Sequence, residues 1–193
     1  MYLFFDASAL SMPAHWKAAV EDTYHWPRLV HLAWELVDED SNIIETASKL
    51  IKPAGFEIPY SSTEWHGVDH DVAMEQGEEI SDVLKAFAAV VRKAEYVVAF
   101  NMQFNEMIVG AEYFRANIPN PLVAAEKICL MRESTYFCKI PAPGGRYKWP
   151  SLSQLFQKCF GHKFEGANEA DKDVRAASMC FFKLLELDEL DVF

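Results

Sequence analysis

A change of hydrophobic period midway along the chain limits the folds open to it. Over residues 29–37, Val30, Leu32, Trp34 and Leu36 alternate with their neighbours, the period-two pattern of a strand with one apolar face. Asp38 to Asn42 reads as a turn and residues 43–52 as the next strand. With the short apolar strand at residues 2–6 they make an antiparallel meander. From residue 79 the period lengthens: Ile80, Val83, Leu84, Phe87, Val91 and Ala94 recur at helical spacing over residues 79–94. Tyr96 to Phe100 is a continuous apolar run, as in a strand covered on both faces. Asn101 is a natural N-cap for a helix with the stripe Phe104, Met107, Ile108, Ala111 and Phe114. A short strand at 127–131, a surface loop at Pro141 to Gly145, a helix at 151–160 stopped by Gly161 and a final helix at 169–187 complete the series. Residues 9–27 and 53–68 show no period and read as loops. The order β-β-β-α-β-α-β-α-α predicts an α/β fold, a mixed five-stranded sheet with helices on its faces, in a single domain over residues 1–193.

Composition narrows the chemistry. At 193 residues and 51% hydrophobic content, the chain can close one full core. A net charge of −11 argues against loose attraction to nucleic-acid backbones, which takes clustered Lys and Arg, though it leaves room for a local basic strip. Cys129, Cys138, Cys159 and Cys180 have neither C-x-x-C spacing nor His at ligand spacing, so buried thiols in a reducing, cytoplasmic setting are expected. The N-terminus lacks a basic leader and no apolar run approaches bilayer length, so no membrane partner is expected.

Three segments hold residues that could act together. The first is Leu3-Phe4-Phe5-Asp6-Ala7-Ser8, where Asp6 and Ser8 point the same way from a strand. The second is Phe100-Asn101-Met102-Gln103-Phe104-Asn105, and the third runs from Gly166 through Asn168 to Asp173. Asp173 lies beside the stripe Ala170, Ala177, Cys180 and Leu184, facing the sheet. An acid there is costly unless it is paired, bound to a cation or solvated at the sheet's end.

These segments resemble the three motifs of the DnaQ-like (DEDDh) 3′–5′ exonuclease family, which includes the epsilon subunit of DNA polymerase III and has a ribonuclease H-like fold. The family's motifs are D-x-E, HNxxFD and H-x(4)-D. Asp6 and Asp173 match, whereas Ser8 replaces the Glu, Asn105 the middle Asp and Asn168 the His; Phe100 stands for the His of the second motif. Further segments resemble the family in the same order: Trp26 to Trp34, Ile51-Lys52-Pro53, His66-Gly67-Val68, Ile108 to Glu112, Tyr147 to Leu152 and Phe164 to Ala167. The resemblance implies phosphodiester hydrolysis with Mg²⁺ or Mn²⁺, metal positions at Asp6 and Asp173, and substrate-binding positions at Ala9, Leu10 and His66. Where the family continues T-T-G to hold the terminal nucleotide, this chain has Ala9, Leu10 and Ser11.

Two-metal hydrolysis needs several carboxylates at one point, with ions roughly 3.5–4 Å apart. Two remaining acids match two divalent cations poorly, and with Asn168 the general base is gone, a group worth about 10²–10⁴-fold. Glu106, Glu169 and Asp171 each sit on a different side of their helix, since one residue turns the side chain by roughly 100°. Trp16, Trp26, Trp65 and Trp149 read as core or loop anchors. The favoured expectation is an exonuclease homologue of little or no activity that binds single-stranded DNA or RNA or a protein. A working 3′–5′ exonuclease with one ion on Asp6 and Asp173 is the alternative, and a purely structural protein partner the third reading.

Overall fold

In the computed structural model, which describes residues 1–190, five strands form one sheet in the order β3-β2-β1-β4-β5. They are β1 (Tyr2–Ala9), β2 (Leu29–Val37), β3 (Ile43–Leu50), β4 (Tyr96–Ala99) and β5 (Glu126–Cys129). The first three pair antiparallel, and β4 and β5 join parallel to β1, so the expected mixed sheet is present. Hydrophobic alternation fixes the two faces. Leu3, Phe5, Ala7 and Ala9 point to one side, where Phe5 and Trp34 pack on Phe87 of α3 (Ile80–Val91), and α4 (Met102–Arg115) covers the same core. Tyr2 and Phe4 point to the other and meet Phe181 of α8 (Ala170–Glu186), with α7 (Leu152–Phe160) beside it.

Both faces of β2 are buried along its whole length, where alternation predicts only one. Its polar side chains explain the difference: His31 and Glu35 lie under α8, and Arg175 of that helix reaches Glu35 at 3.5 Å. Polar residues here mark a covered face with specific partners. Buried Glu112 of α4 similarly ties the helix to the start of β2, accepting from Arg28 Nε at 2.8 Å and from the Leu29 amide at 3.1 Å.

Short helices occupy stretches that lack a period. α1 (Tyr60–His66) and α2 (His70–Gln76) lie within and just past the expected 53–68 loop, and α5 (Leu130–Glu133) and α6 (Thr135–Cys138) follow β5. A small hairpin, β6 (Pro141–Ala142) and β7 (Arg146–Tyr147), frames the loop around Gly144. Gly144 and Gly145 both hold positive φ, 78° and 72°, which side chains resist and which turns this hairpin over within three residues. Phe114, expected in the stripe of α4, is instead 53% exposed at the helix end.

Candidate functional site

The carboxyl ends of the parallel pair β1 and β4 open into a pocket, the usual position for a site in a sheet of this kind. Its lining includes Asp6, Ser8 and Ala9 of β1, Asn101, Phe104 and Asn105 at the start of α4, His66 at the end of α1, and Asn168 and Asp173 before and in α8. Four of the five expected catalytic positions therefore come from three distant segments, and the fifth, Ser8, shares the strand of Asp6. A β-bulge between Ser8 and Ala9 ends regular pairing where the pocket begins. Leu10 does not line it and packs with Val30, Ile58, Val68 and Ala73.

Asn105 is held at both of its polar atoms. Its Oδ1 accepts from the Ala7 amide at 2.9 Å, which fixes the flip, and its Nδ2 donates to Asp6 Oδ1, also at 2.9 Å. Asn101 holds the helix start by capping the Phe104 amide, as expected. Asn168 is not the N-cap of α8; Glu169 holds that position. Asn168 sits just outside with φ 75°, a conformation Asn tolerates, and its amide donates to both Asp173 oxygens at 3.3 and 3.2 Å.

Burial raises the Asp6 carboxyl to about 6, against the pull of the Asn105 hydrogen bond. Asp173 rises further, to about 8, through burial first and then the charge of Asp6. Burial and mutual repulsion thus favour the protonated forms of this pair. This donor set does not fit a pair of divalent cations. Asn105 turns an NH₂ toward Asp6 and spends its oxygen on Ala7, and among the described residues no group of three or more His, Cys, Asp or Glu is placed to hold a metal. Glu106 is drawn off to Lys127 at 2.7 Å and Asp171 to Lys172 at 3.2 Å, so neither substitutes.

His66 supplies a different chemistry. α1 ends in Gly67, whose φ of 75° lets the chain reverse, and Thr63 Oγ1 secures the reversal by donating to the Val68 carbonyl at 2.9 Å. The Val68 amide then donates to His66 Nδ1 at 3.1 Å. That fixes the neutral tautomer with the proton on Nε2, in line with the downward shift that burial gives this imidazole. Nε2 is buried and has no hydrogen-bond partner among the described residues, while the ring lines the pocket, so this donor can meet an acceptor there. Around these polar groups stand Trp65, Phe100, Phe104 and Leu152. Trp65, expected to be an anchor, is 42% exposed at the pocket rim, and Trp26 alone of the four expected anchors is fully buried. Apolar stripes conceal Phe104 and Leu152 as site residues, because the same side chains would serve a core equally well.

No protein-family model matches this chain, and no curated protein matches it significantly. Solved structures do. Escherichia coli exonuclease I in complex with a dT13 oligonucleotide superimposes with a TM-score of 0.72 at 17% identity, covering 96% of this chain and 40% of that one. A zinc-bound form of its single-stranded DNA complex gives 0.72 at 17%, covering 97% and 40%. The nuclease domain of 3′hExo, a DEDDh family member bound to rAMP, gives 0.74 at 13%, covering 98% of this chain and 94% of that one. This chain thus spans about 40% of exonuclease I and nearly all of the 3′hExo domain. The likeness establishes the fold: this chain has the mixed five-stranded α/β architecture of these nuclease structures. Among the described residues no helix is long and apolar enough to cross a membrane.

Proposed function

We propose that this chain binds the end of a single-stranded DNA or RNA in the pocket at β1 and β4 and hydrolyses it slowly or not at all. It is read as a DnaQ-like relative whose metal site has decayed, with Mg²⁺ or Mn²⁺ held weakly at Asp6 and Asp173 if at all. The observation that carries this reading is Asn105, whose amide occupies the place of an acid and whose two polar atoms are both committed within the protein. The pocket keeps features suited to a nucleotide: aromatic walls, and a His66 Nε2 proton that meets no acceptor among the described residues. The relatives' oligonucleotide and rAMP complexes support the same ligand class. Four free thiols among the described residues fit a reducing, cytoplasmic setting.

One observation favours a working exonuclease instead: Asp6 and Asp173 do converge on one pocket. The two readings part in a cleavage assay on an oligonucleotide labelled at its 5′ end, with Mg²⁺ or Mn²⁺. The expected result is no measurable shortening by the parent protein. Cleavage should appear in the triple variant Ser8→Glu, Asn105→Asp, Asn168→His, which restores both acids and the base. Metal-dependent shortening by the parent as fast as by the triple variant, abolished in Asp6→Ala, would overturn the proposal.

A further inference from the structure

We infer that the surface formed by Arg132, Tyr136, Arg146, Tyr147, Lys148 and Trp149 holds the body of a single-stranded nucleic acid whose end enters the pocket. This rests on the nucleic-acid reading above and adds a second site to it. Charge is distributed very unevenly along the chain. Residues 127–163 contain seven of its 18 Lys and Arg but one of its 29 Asp and Glu, a cationic stretch in a protein of net charge −11. Arg132, Lys139, Arg146 and Lys148 are exposed, and no carboxylate pairs with any of them among the described residues.

Aromatic rings are interleaved with these cations. Tyr136 is 75% and Trp149 56% exposed, Tyr136 meets Tyr147 edge-on at 6.0 Å, and the Arg132 guanidinium lies 5.8 Å from the Trp149 ring centroid. The β6–β7 hairpin presents Arg146, Tyr147, Lys148 and Trp149 in sequence, charge and ring alternating. Exposed rings beside unpaired cations suit a strand that offers phosphates and base faces together. An acidic protein would use the charges but leave the rings uncovered.

The surface is continuous with the pocket. Arg132 borders both the Tyr136–Trp149 groove and a second groove that contains Trp16, Lys17 and Lys127. Trp16 in turn packs on Phe104 of the pocket wall, ring centroids 6.0 Å apart. A strand leaving the pocket would pass from Phe104 over Trp16 and Lys17, beside the Lys127–Glu106 ion pair, to Arg132 and the hairpin.

The test is fluorescence polarisation with a labelled oligothymidylate of about 16 nucleotides, the upper end of a single-strand site, in EDTA to prevent hydrolysis. Arg146→Ala with Lys148→Ala should weaken binding at least about tenfold at low salt and flatten the salt slope by roughly 1–2. Trp149→Ala should weaken it at least about fivefold and leave the salt slope unchanged. All three side chains are exposed, so circular dichroism should show parent-like folding. Parent binding with no loss in either variant would overturn this inference and leave the pocket reading standing; no binding by the parent would overturn both. Equal affinity for an abasic strand would remove the stacking role, and equal competition by a polyglutamate peptide would replace the nucleic acid with an acidic protein.

Discussion

Asp173 is an acid held where its charge is costly. Burial and the charge of Asp6 raise its carboxyl to about 8, and Asp6 itself stands near 6. Both lie above the ordinary value of 3.8, so the folded state holds protons that the unfolded chain has released. The contribution of these two groups to stability is then full below about pH 4, falls as pH rises through roughly 4 to 8, and levels off above that window. Asp173→Asn removes the larger share of the penalty and keeps an oxygen for the Asn168 amide. In urea denaturation it should stabilise the protein by roughly 1–2 kcal/mol above pH 8, well short of the full shift because the group is partly solvated. Near pH 4 the variant and the parent should coincide. A variant equally stabilised at both pH values, or destabilised above pH 8, would show that the acid is not strained in the native state.

Among the elements, those with a strong period are legible from residue spacing, and those that owe their form to tertiary partners are not. α3 is plain from Ile80, Val83, Leu84 and Phe87, three of which are fully buried. α1 and α2 bury only Ser62, His66 and Ala73, too few to make a stripe, so His66 is identified by its motif and not by any pattern. The convergence of Asp6, Asn105 and Asp173 is likewise legible only through motif order, since no local pattern links the three positions. The orphan Nε2 of His66, the upward shift of the acid pair and the basic surface around the β6–β7 hairpin require the fold. Gly77, after α2, shows such a tertiary constraint. The next residue, Glu78, pairs with the strand beyond β3: its amide donates to Leu50 and its carbonyl accepts from the Lys52 amide, each at 2.9 Å. A methyl group on Gly77 would meet the Ala73 carbonyl and would lie 2.6 Å from Lys52 N and 2.8 Å from Lys52 Cα. These are backbone atoms with little freedom to move. Gly77→Ala should therefore cost about 2–4 kcal/mol in urea denaturation, through the same mechanism as overpacking. A loss below about 0.5 kcal/mol would mean that this crossing is looser than its geometry implies.

At the scale of the whole molecule, two electrostatic effects respond to salt with opposite sign. The excess of acid gives a net charge of −11, so the folded state repels itself over distances that salt screens. Its surface ion pairs, such as Lys93 with Glu45 at 2.6 Å and Lys49 with Glu78 at 2.7 Å, act at contact range. Each exposed pair is worth only roughly 0.2–1 kcal/mol, so what salt screens from these pairs is small beside the repulsion it removes from the excess charge. The long-range repulsion is the part that salt removes, so added NaCl should stabilise this protein. Between about 20 mM and 0.5 M the melting temperature should rise by roughly 2–5 °C in calorimetry. On the proposed surface a single strand would be held by the cationic stretch with release of counterions from its phosphates, so over the same range binding should weaken steeply. Opposite trends in the two measurements would separate the acidic body from its basic face. If stability and binding fell together, the fold would depend on its ion pairs, and the segregation of charge would have no bearing on folding.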